Sequence, residues 1–212
     1  MEATSRAPGR PRQLSDQAIL TTAFAAFSQL GYDAVSVREL NRELGVSHSA
    51  IRKRFGSKQQ LWQAAVDHAF GQLVDALRDP ANRAPDDLDD LERLRQGISA
   101  FIREAARRPQ VLQLMNQEGG LDTPRLDYIV DTYIAPALAP TARLLRKLER
   151  TGVIKPISLP AYHFLVAHGA AGPFTHTALA QRLDPNGLPL NPAEHAERAA
   201  TIIVNGLRRA AP

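Results

Sequence analysis

Apolar residues recur at intervals of three and four positions through most of this chain, a spacing that places them on one face of a helix. No segment sustains the alternation of apolar and polar residues that is typical of a half-buried strand, and no internal repeat is visible. Glycine, proline and capping residues separate the periodic segments. The pattern predicts an all-α fold in which a small group of N-terminal helices precedes a larger helical body.

The most informative segment, from Ser36 to Gly56, predicts two short helices joined by a tight turn. Ser36 is placed to cap the first helix, and Glu39, three residues later, completes a capping box. Gly45 follows the last apolar residue of that helix, where glycine tolerates the left-handed backbone best. Ser47 is placed to cap the second helix, which Gly56 ends. Two helices around a glycine turn, the second basic on its outer side, predict a helix-turn-helix.

Helices are also predicted on both sides of this pair. Ser15 caps a helix that runs to about Leu30, and Ser57 begins a long helix that continues to about Arg78. We expect the small N-terminal core to contain Phe24, Phe27, Val37, Leu40, Leu44, Ile51 and Phe55. We therefore expect two domains. The N-terminal domain comprises residues 1–58 and includes a flexible arm, and the helical body comprises residues 59–212.

The polar residues of the second helix suit contact with double-stranded DNA. A helix fits the major groove, where residues near its N-terminus meet base edges and flanking cations meet phosphates. The candidates for base edges are Ser47, His48 and Ser49. The candidates for phosphates are Arg12 in the arm, Ser36, Arg52, Lys53, Arg54 and Lys58. Basic residues on a helix can also be a solvated surface, but here the caps, the glycine turn and the charge placement agree.

The distribution of charge favours the same interpretation. Residues 1–60 contain nine Lys or Arg and five Asp or Glu, whereas residues 61–212 contain seventeen of each. The formal excess of +4 therefore belongs entirely to the N-terminal segment. A basic head on a neutral body is expected of a protein that binds DNA through one domain only.

The residues of this segment resemble the TetR family of repressors. The resemblance covers about the first sixty residues and rests on Gly9-Arg-Pro-Arg12, Gly31-Tyr32, Ser36-Val37-Arg38-Glu39-Leu40, Gly45-Val46-Ser47 and Phe55-Gly56-Ser57-Lys58. Four positions depart from the family: Asn41 stands for the usual alanine, Ser49 for glycine, Arg52 for tyrosine and Arg54 for a frequent histidine. Because arginine can replace tyrosine as a phosphate contact, DNA binding is still implied, but no operator sequence carries over.

The resemblance further implies a ligand-responsive homodimer. In similar proteins the last two long helices of each subunit form the dimer interface, and the candidates for it here are Leu165, Ile202, Ile203 and Gly206. A two-fold dimer implies a palindromic operator. Similar proteins also bind a small effector in the body, which changes the separation of the two heads and releases the DNA.

The helical body offers candidate ligand residues, although each could equally be part of a packed core. The candidates for an effector pocket are Phe70, Phe101, Met115, Tyr133, Phe164 and His168. Pro136 and Pro140 are expected to kink or divide a helix at residues 125–150, because each lacks a donor and clashes with the preceding turn. Residues 158–180 form another apolar helical stretch, and Asn191 precedes the last helix.

Composition and motifs limit the other function classes. The chain has no cysteine, and its run of acids at Asp86, Asp87, Asp89 and Asp90 lacks the spacing of a calcium loop. Because no catalytic motif is present either, we expect no metal, no cofactor and no catalytic residue. No apolar run suits a membrane helix and no signal segment is apparent, so we expect a cytoplasmic protein. Two alternatives stay open: an all-α carrier or enzyme with a vestigial head, and an architectural DNA-binding protein without effector control.

Overall fold

The computed structural model describes residues 14–79, 88–187 and 189–209. The helices in these ranges are α1 (Asp16–Leu30), α2 (Val37–Glu43), α3 (Ala50–Phe55), α4 (Lys58–Arg78), α5 (Asp90–Arg107), α6 (Pro109–Glu118), α7 (Pro124–Ile129), α8 (Ala135–Arg150), α9 (Leu159–Phe164), α10 (Gly172–Thr175), α11 (Thr177–Leu183) and α12 (Pro192–Leu207). Two π-helical segments, Val130–Ile134 and Leu165–Ala170, follow α7 and α9. These ranges contain no strand, only an isolated bridge between Ile154 and Arg208. The predicted all-α fold is confirmed.

The described residues fall into two compact units, one ending at His68 and the other beginning at Ala69. This division lies inside α4, ten residues beyond the predicted boundary after Lys58, because Leu61, Trp62 and Ala65 are buried with the N-terminal helices. Among the described residues, no helix combines the length and the apolar character that crossing a bilayer requires.

The first unit buries one apolar face from each of its helices. Ile19 and Phe27 in α1, Leu40 in α2, Ile51 in α3 and Trp62 in α4 are all at most 3% exposed. Part of the predicted core lies nearer the surface, since Val37, Leu44 and Phe55 are half-buried. The caps agree with prediction at both ends of α1, where Ser15 Oγ accepts from Ala18 N and Gly31 has a φ of +81°.

The second unit is organised by the packing of α5 against α12. Their apolar faces share one core with α8 and α9, which contains Leu94, Ile98, Ile102, Leu145, Leu148, Tyr162, Ala196, Ala200, Ile203 and Val204. Polar contacts lie along the same pair of helices. Glu197 of α12 accepts hydrogen bonds from Ser99 Oγ at 2.5 Å and from the guanidinium of Arg103 at 3.3 Å, and it also pairs with Arg95.

The helix predicted at residues 125–150 is interrupted differently from the expectation. The chain stays helical throughout, and α8 continues through Pro140. The irregularity lies before Pro136, where Val130–Ile134 forms a π turn and Ala135 N donates to Val130 O. This wider turn includes Thr132, whose carbonyl the Pro136 ring would otherwise meet, so a change of hydrogen-bond register replaces the predicted break.

The apolar pattern at residues 158–180 suggested one helix, but the structure divides this stretch. After α9 it passes through the π segment Leu165–Ala170 and then through the short helices α10 and α11. Pro173 lies in the first turn of α10, a position that needs no backbone donor. Helices this short cannot be told from one longer helix by apolar spacing alone.

Candidate nucleic-acid interface and ligand cavity

The turn between α2 and α3 is held by local backbone geometry. Ser36 Oγ accepts from Glu39 N at 3.4 Å and begins α2. Gly45 has a φ of +64°, and Val46 N donates a hydrogen bond to Asn41 O at 3.0 Å. A residue with a side chain would be strained at that φ, so the glycine determines how sharply the chain reverses.

The start of α3 corrects a prediction. The helix begins at Ala50, three residues beyond Ser47, and neither Ser47 nor Ser49 caps it with a side chain. Ile51 N instead donates to Asn41 Oδ1 at 3.3 Å, so a residue of α2 satisfies one of the donors that every helix start leaves open. Ser47, His48 and Ser49 consequently lie in the turn that leads into α3, and all three are exposed.

Asn41 is the side chain that holds the two helices of this motif together. Its residue is 1% exposed, and its Nδ2 donates to Val37 O and to His48 O, both at 3.0 Å. With the bond from Ile51 N, the amide joins α2 to both sides of the turn. In the sequence Asn41 stands out only as a departure from the TetR pattern, and its place one turn before Gly45 was the one available sign of this role.

The six candidate phosphate contacts differ in their exposure and in the hydrogen bonds that they already make. Arg52 and Lys53 are exposed on α3. Arg54 already makes hydrogen bonds inside the first unit: its guanidinium donates to Leu14 O at 2.6 Å and to the Asp16 carboxylate at 3.3 Å. That pairing joins the end of α3 to the start of α1, which gives Arg54 a positioning role that the sequence did not indicate.

The remaining candidates lie beside the next helix start or outside the described ranges. Lys58 Nζ donates to Asp33 O at 3.1 Å and lies 4.6 Å from the centroid of the Tyr32 ring. Ser36 uses its oxygen as a cap acceptor, so its hydroxyl proton is the part that a phosphate could accept. Arg12 lies outside the described residues, as do the acids Asp86 and Asp87.

The second unit contains a cavity of about 260 Å³, enclosed by α4, α5, α6, α8 and the α9 region. Five predicted pocket residues line it: Phe70, Phe101, Met115, Tyr133 and His168. Phe164 does not, since it is 59% exposed and lies outside the lining. Helical spacing explains this difference, because Phe164 follows Tyr162 by two positions in α9 and therefore points away from the side that carries Tyr162, His163 and Val166.

The polar groups of the cavity are uncharged. His168 Nδ1 lies 2.8 Å from Asn116 Oδ1, to which it donates. Burial lowers the pKa of both His163 and His168, and at His163 the neighbouring His168 lowers it further. Burial also raises the pKa of the Tyr162 hydroxyl well above its ordinary value. Around neutral pH these side chains are therefore neutral hydrogen-bonding groups.

The four candidate interface residues divide into exposed and buried ones. Leu165 is 44% exposed, Ile202 is 65% exposed, and Gly206 is also exposed. Ile203 is only 7% exposed and belongs to the core of its own unit, so it is not available to a partner. On α12 the two isoleucines are adjacent in sequence and therefore point to different sides of the helix. No cluster of three or more potential metal ligands occurs in the part of the chain that the structure describes.

Comparison with known proteins finds a family likeness in the N-terminal segment. Residues 19–65 match the model of bacterial regulatory proteins of the tetR family. The HTH-type transcriptional repressor BdcR of Escherichia coli K12 is 38% identical over 79 residues, which are 35% of this chain and 40% of BdcR. The chain thus aligns with less than half of that relative's length.

Solved structures extend the likeness of fold to nearly the whole chain. The TetR family regulator PfmR from Thermus thermophilus has a TM-score of 0.62 at 22% identity, over 93% of this chain and 99% of PfmR. A tetR family regulatory protein from Rhodococcus RHA1 has a TM-score of 0.64 at 19% identity, over 93% of this chain and 100% of the other. Residues 19–65 thus resemble the helix-turn-helix segment of the tetR family of bacterial regulatory proteins, and the chain as a whole shares the fold of these solved structures.

Proposed function

We propose that this protein is a homodimeric repressor of transcription that binds a palindromic operator and leaves it when a small molecule occupies the cavity. The observation that carries the proposal is the exposed, basic α3 and its preceding turn, held on α2 by the buried Asn41 amide. Such a repressor acts on chromosomal DNA in the cytoplasm and needs neither a cofactor nor catalysis.

In this proposal the turn and α3 divide recognition between bases and phosphates. Ser47, His48 and Ser49 are exposed at the N-terminal end of α3, the end that meets base edges in helix-turn-helix complexes. Arg52 and Lys53 supply exposed cations for phosphates, while Lys58 lies at the start of α4, where backbone N–H groups also favour an anion.

Effector control requires a preference between two conformations. A ligand in the cavity can weaken DNA binding only if it binds better to a conformation that fits the operator poorly. By linkage, operator DNA then weakens ligand binding by the same factor, so the coupling can be measured from either side.

Selection from a randomised duplex library at near-physiological salt, followed by sequencing, tests the DNA-binding part of this proposal. We expect a palindromic motif, because a two-fold dimer presents two copies of α3. Binding without sequence preference would favour an architectural protein. Absence of binding at any salt concentration, with ligand binding retained, would favour a carrier or enzyme with a vestigial head.

Removing an exposed cation from α3 is expected to reduce the salt dependence of DNA binding. Each phosphate contact contributes about −0.9 to the slope of log K against log salt, and a homodimer loses the contact in both subunits, so Lys53→Ala or Arg52→Ala should make the slope shallower by about two. The effect should be equal on operator and scrambled duplexes. Fluorescence anisotropy at several salt concentrations measures it.

Two variants give this measurement its controls. Arg146→Ala removes an exposed cation from α8 and should leave the slope unchanged. Arg54→Ala should change the slope less than Lys53→Ala and lower the thermal stability more, because Arg54 bonds to Leu14 and Asp16. An unchanged slope in both Arg52→Ala and Lys53→Ala would contradict their assignment to phosphates.

Changing the turn before α3 is expected to alter sequence preference more than affinity. His48→Ala and Ser49→Ala remove side chains that we assign to base edges, where one good contact contributes about 1–3 kcal/mol of discrimination. Repeating the library selection with each variant should change the preferred bases at one position in each half-site. A preference profile identical to that of the original protein would remove the residue from the set that reads bases.

A further inference from the structure

The cavity of the second unit has walls that are almost entirely apolar. Phe70, Phe101, Met115, Val166 and other carbon-rich side chains provide most of its lining. Among the described residues that line it, none is a lysine, arginine, aspartate or glutamate. A charged ligand would lose its hydration there without gaining an opposite charge, a loss that costs far more than the burial of a neutral group.

A small number of polar side chains interrupt this lining. Tyr162 is 5% exposed and lines the cavity, and its hydroxyl makes no hydrogen bond to any residue in the described ranges. A hydroxyl that faces the cavity without a protein partner can exchange hydrogen bonds with a ligand there. This hydroxyl is a feature that close packing alone does not explain.

His168 supplies a second hydrogen-bonding group of defined character. Because its Nδ1 donates to Asn116 Oδ1, the neutral ring keeps Nε2 as a hydrogen-bond acceptor. His163 lies beside it, with the two ring centroids 5.8 Å apart. The cavity therefore combines the hydroxyl residues Tyr133, Thr141 and Tyr162 and two neutral imidazoles with an apolar remainder.

The volume limits the size of a ligand. At about 260 Å³ the cavity falls just below the range of roughly 300–1,000 Å³ that is usual for drug-sized ligands. A single substituted ring or a short branched chain fits this volume.

We propose that this cavity binds a small, uncharged, mainly apolar molecule that presents one hydroxyl-type group to Tyr162 and His168. The proposal rests on the proposed function in that the same cavity holds the effector, and it adds the chemical class of that effector. It makes Tyr162 a residue that determines specificity, a role that neither the sequence pattern nor the family likeness assigns to it.

Three compounds of similar shape test the ligand class: thymol with a hydroxyl, p-cymene without it, and cuminate with a carboxylate. Isothermal titration calorimetry with the full chain, in the absence of DNA, measures their affinities. We expect thymol to bind about five- to tenfold more tightly than p-cymene, the effect of one hydrogen bond. Cuminate should bind more weakly than either. Tightest binding by cuminate, or no binding by any of the three, would overturn the proposal.

Two variants locate the binding. Tyr162→Phe removes only the hydroxyl and should lower the preference for thymol over p-cymene by about threefold, because the contact to His168 remains, with p-cymene affinity retained. Gly97→Leu should abolish binding of both, because Gly97 lies in the cavity wall and a Cβ at this position meets no atom within 4 Å. A thymol preference that is undiminished in Tyr162→Phe, or full binding by a stably folded Gly97→Leu protein, would contradict the assignment.

Failure of the ligand class and failure of the regulatory function are separate results. If thymol binds as expected but leaves operator affinity unchanged, the ligand class stands and effector control by this compound fails. If cuminate binds best and releases the operator, the regulator stands and the class is wrong. Anisotropy titration of the operator complex with each compound distinguishes the two.

Discussion

Ile202→Glu is expected to convert the protein to a monomer and to weaken its binding to a palindromic operator by about a hundredfold or more. Ile202 is a large apolar side chain that is 65% exposed on α12, the helix whose opposite side forms the core with Ala200 and Ile203. A two-fold interface contains each residue twice, so this substitution places two carboxylates in one apolar contact.

The loss of affinity follows from the coupling of two half-sites. In a dimer, binding of one head holds the second at a high effective concentration near its half-site, and a monomer loses this advantage. Sedimentation velocity gives the oligomeric state, and anisotropy gives affinity for the full palindrome and for a single half-site. The variant should bind the half-site as the original protein does.

Leu183→Glu is the matched control for this prediction. Leu183 is 78% exposed on α11, outside the segments assigned to the interface, so its replacement should leave the dimer and the operator affinity unchanged. Because Ile202 is exposed within its own protomer, Ile202→Glu should also remain folded by circular dichroism. A folded Ile202→Glu protein that sediments as a dimer would refute the assignment of this surface.

Asn41→Ala is expected to destabilise the first unit by about 2 kcal/mol and to reduce operator binding more than non-specific binding. The substitution removes the donor to His48 O and the acceptor of Ile51 N, and it leaves a gap at a position that is 1% exposed. These bonds set where α3 begins relative to α2, so their loss should disorder the turn that carries the proposed base contacts.

Hydrogen exchange gives a readout that a general loss of stability would not produce. Amides of residues 47–55 should lose protection in Asn41→Ala, while those of α1 keep theirs. Ser28→Ala is the control, because Ser28 is 2% exposed and bonds to Ala25 O within its own helix at 2.9 Å. If both variants change exchange in the turn equally, Asn41 has no special role in positioning α3.

The local chemistry of the chain determined its helices and the location of its basic head. The caps at Ser15, Ser36 and Ser57 and the positive φ at Gly45 follow from short-range rules, because their partners lie within four residues. For the same reason the first helix and the turn were predictable within a residue or two. The charge asymmetry was available from counting alone.

Contacts between distant residues were decided only by the tertiary structure. The cap of α3 comes from Asn41, ten residues away, and the guanidinium of Arg54 is bonded to Asp16, thirty-eight residues away. Nothing in the spacing of apolar residues encodes such pairs. These pairs depend on how whole helices pack. Arg54 and Asn41 gain their structural roles from that packing.

The lining of the cavity was likewise predicted only in part from the sequence. Its aromatic residues could be named from the sequence, but only the packing of α9 against its neighbours decided that Tyr162 lines the cavity and that Phe164 does not. Adjacent isoleucines on α12 were likewise divided by packing into one core residue and one surface residue. The sequence by itself determined helices, caps and charge, because these depend on neighbours along the chain, while side-chain direction depends on neighbours in space.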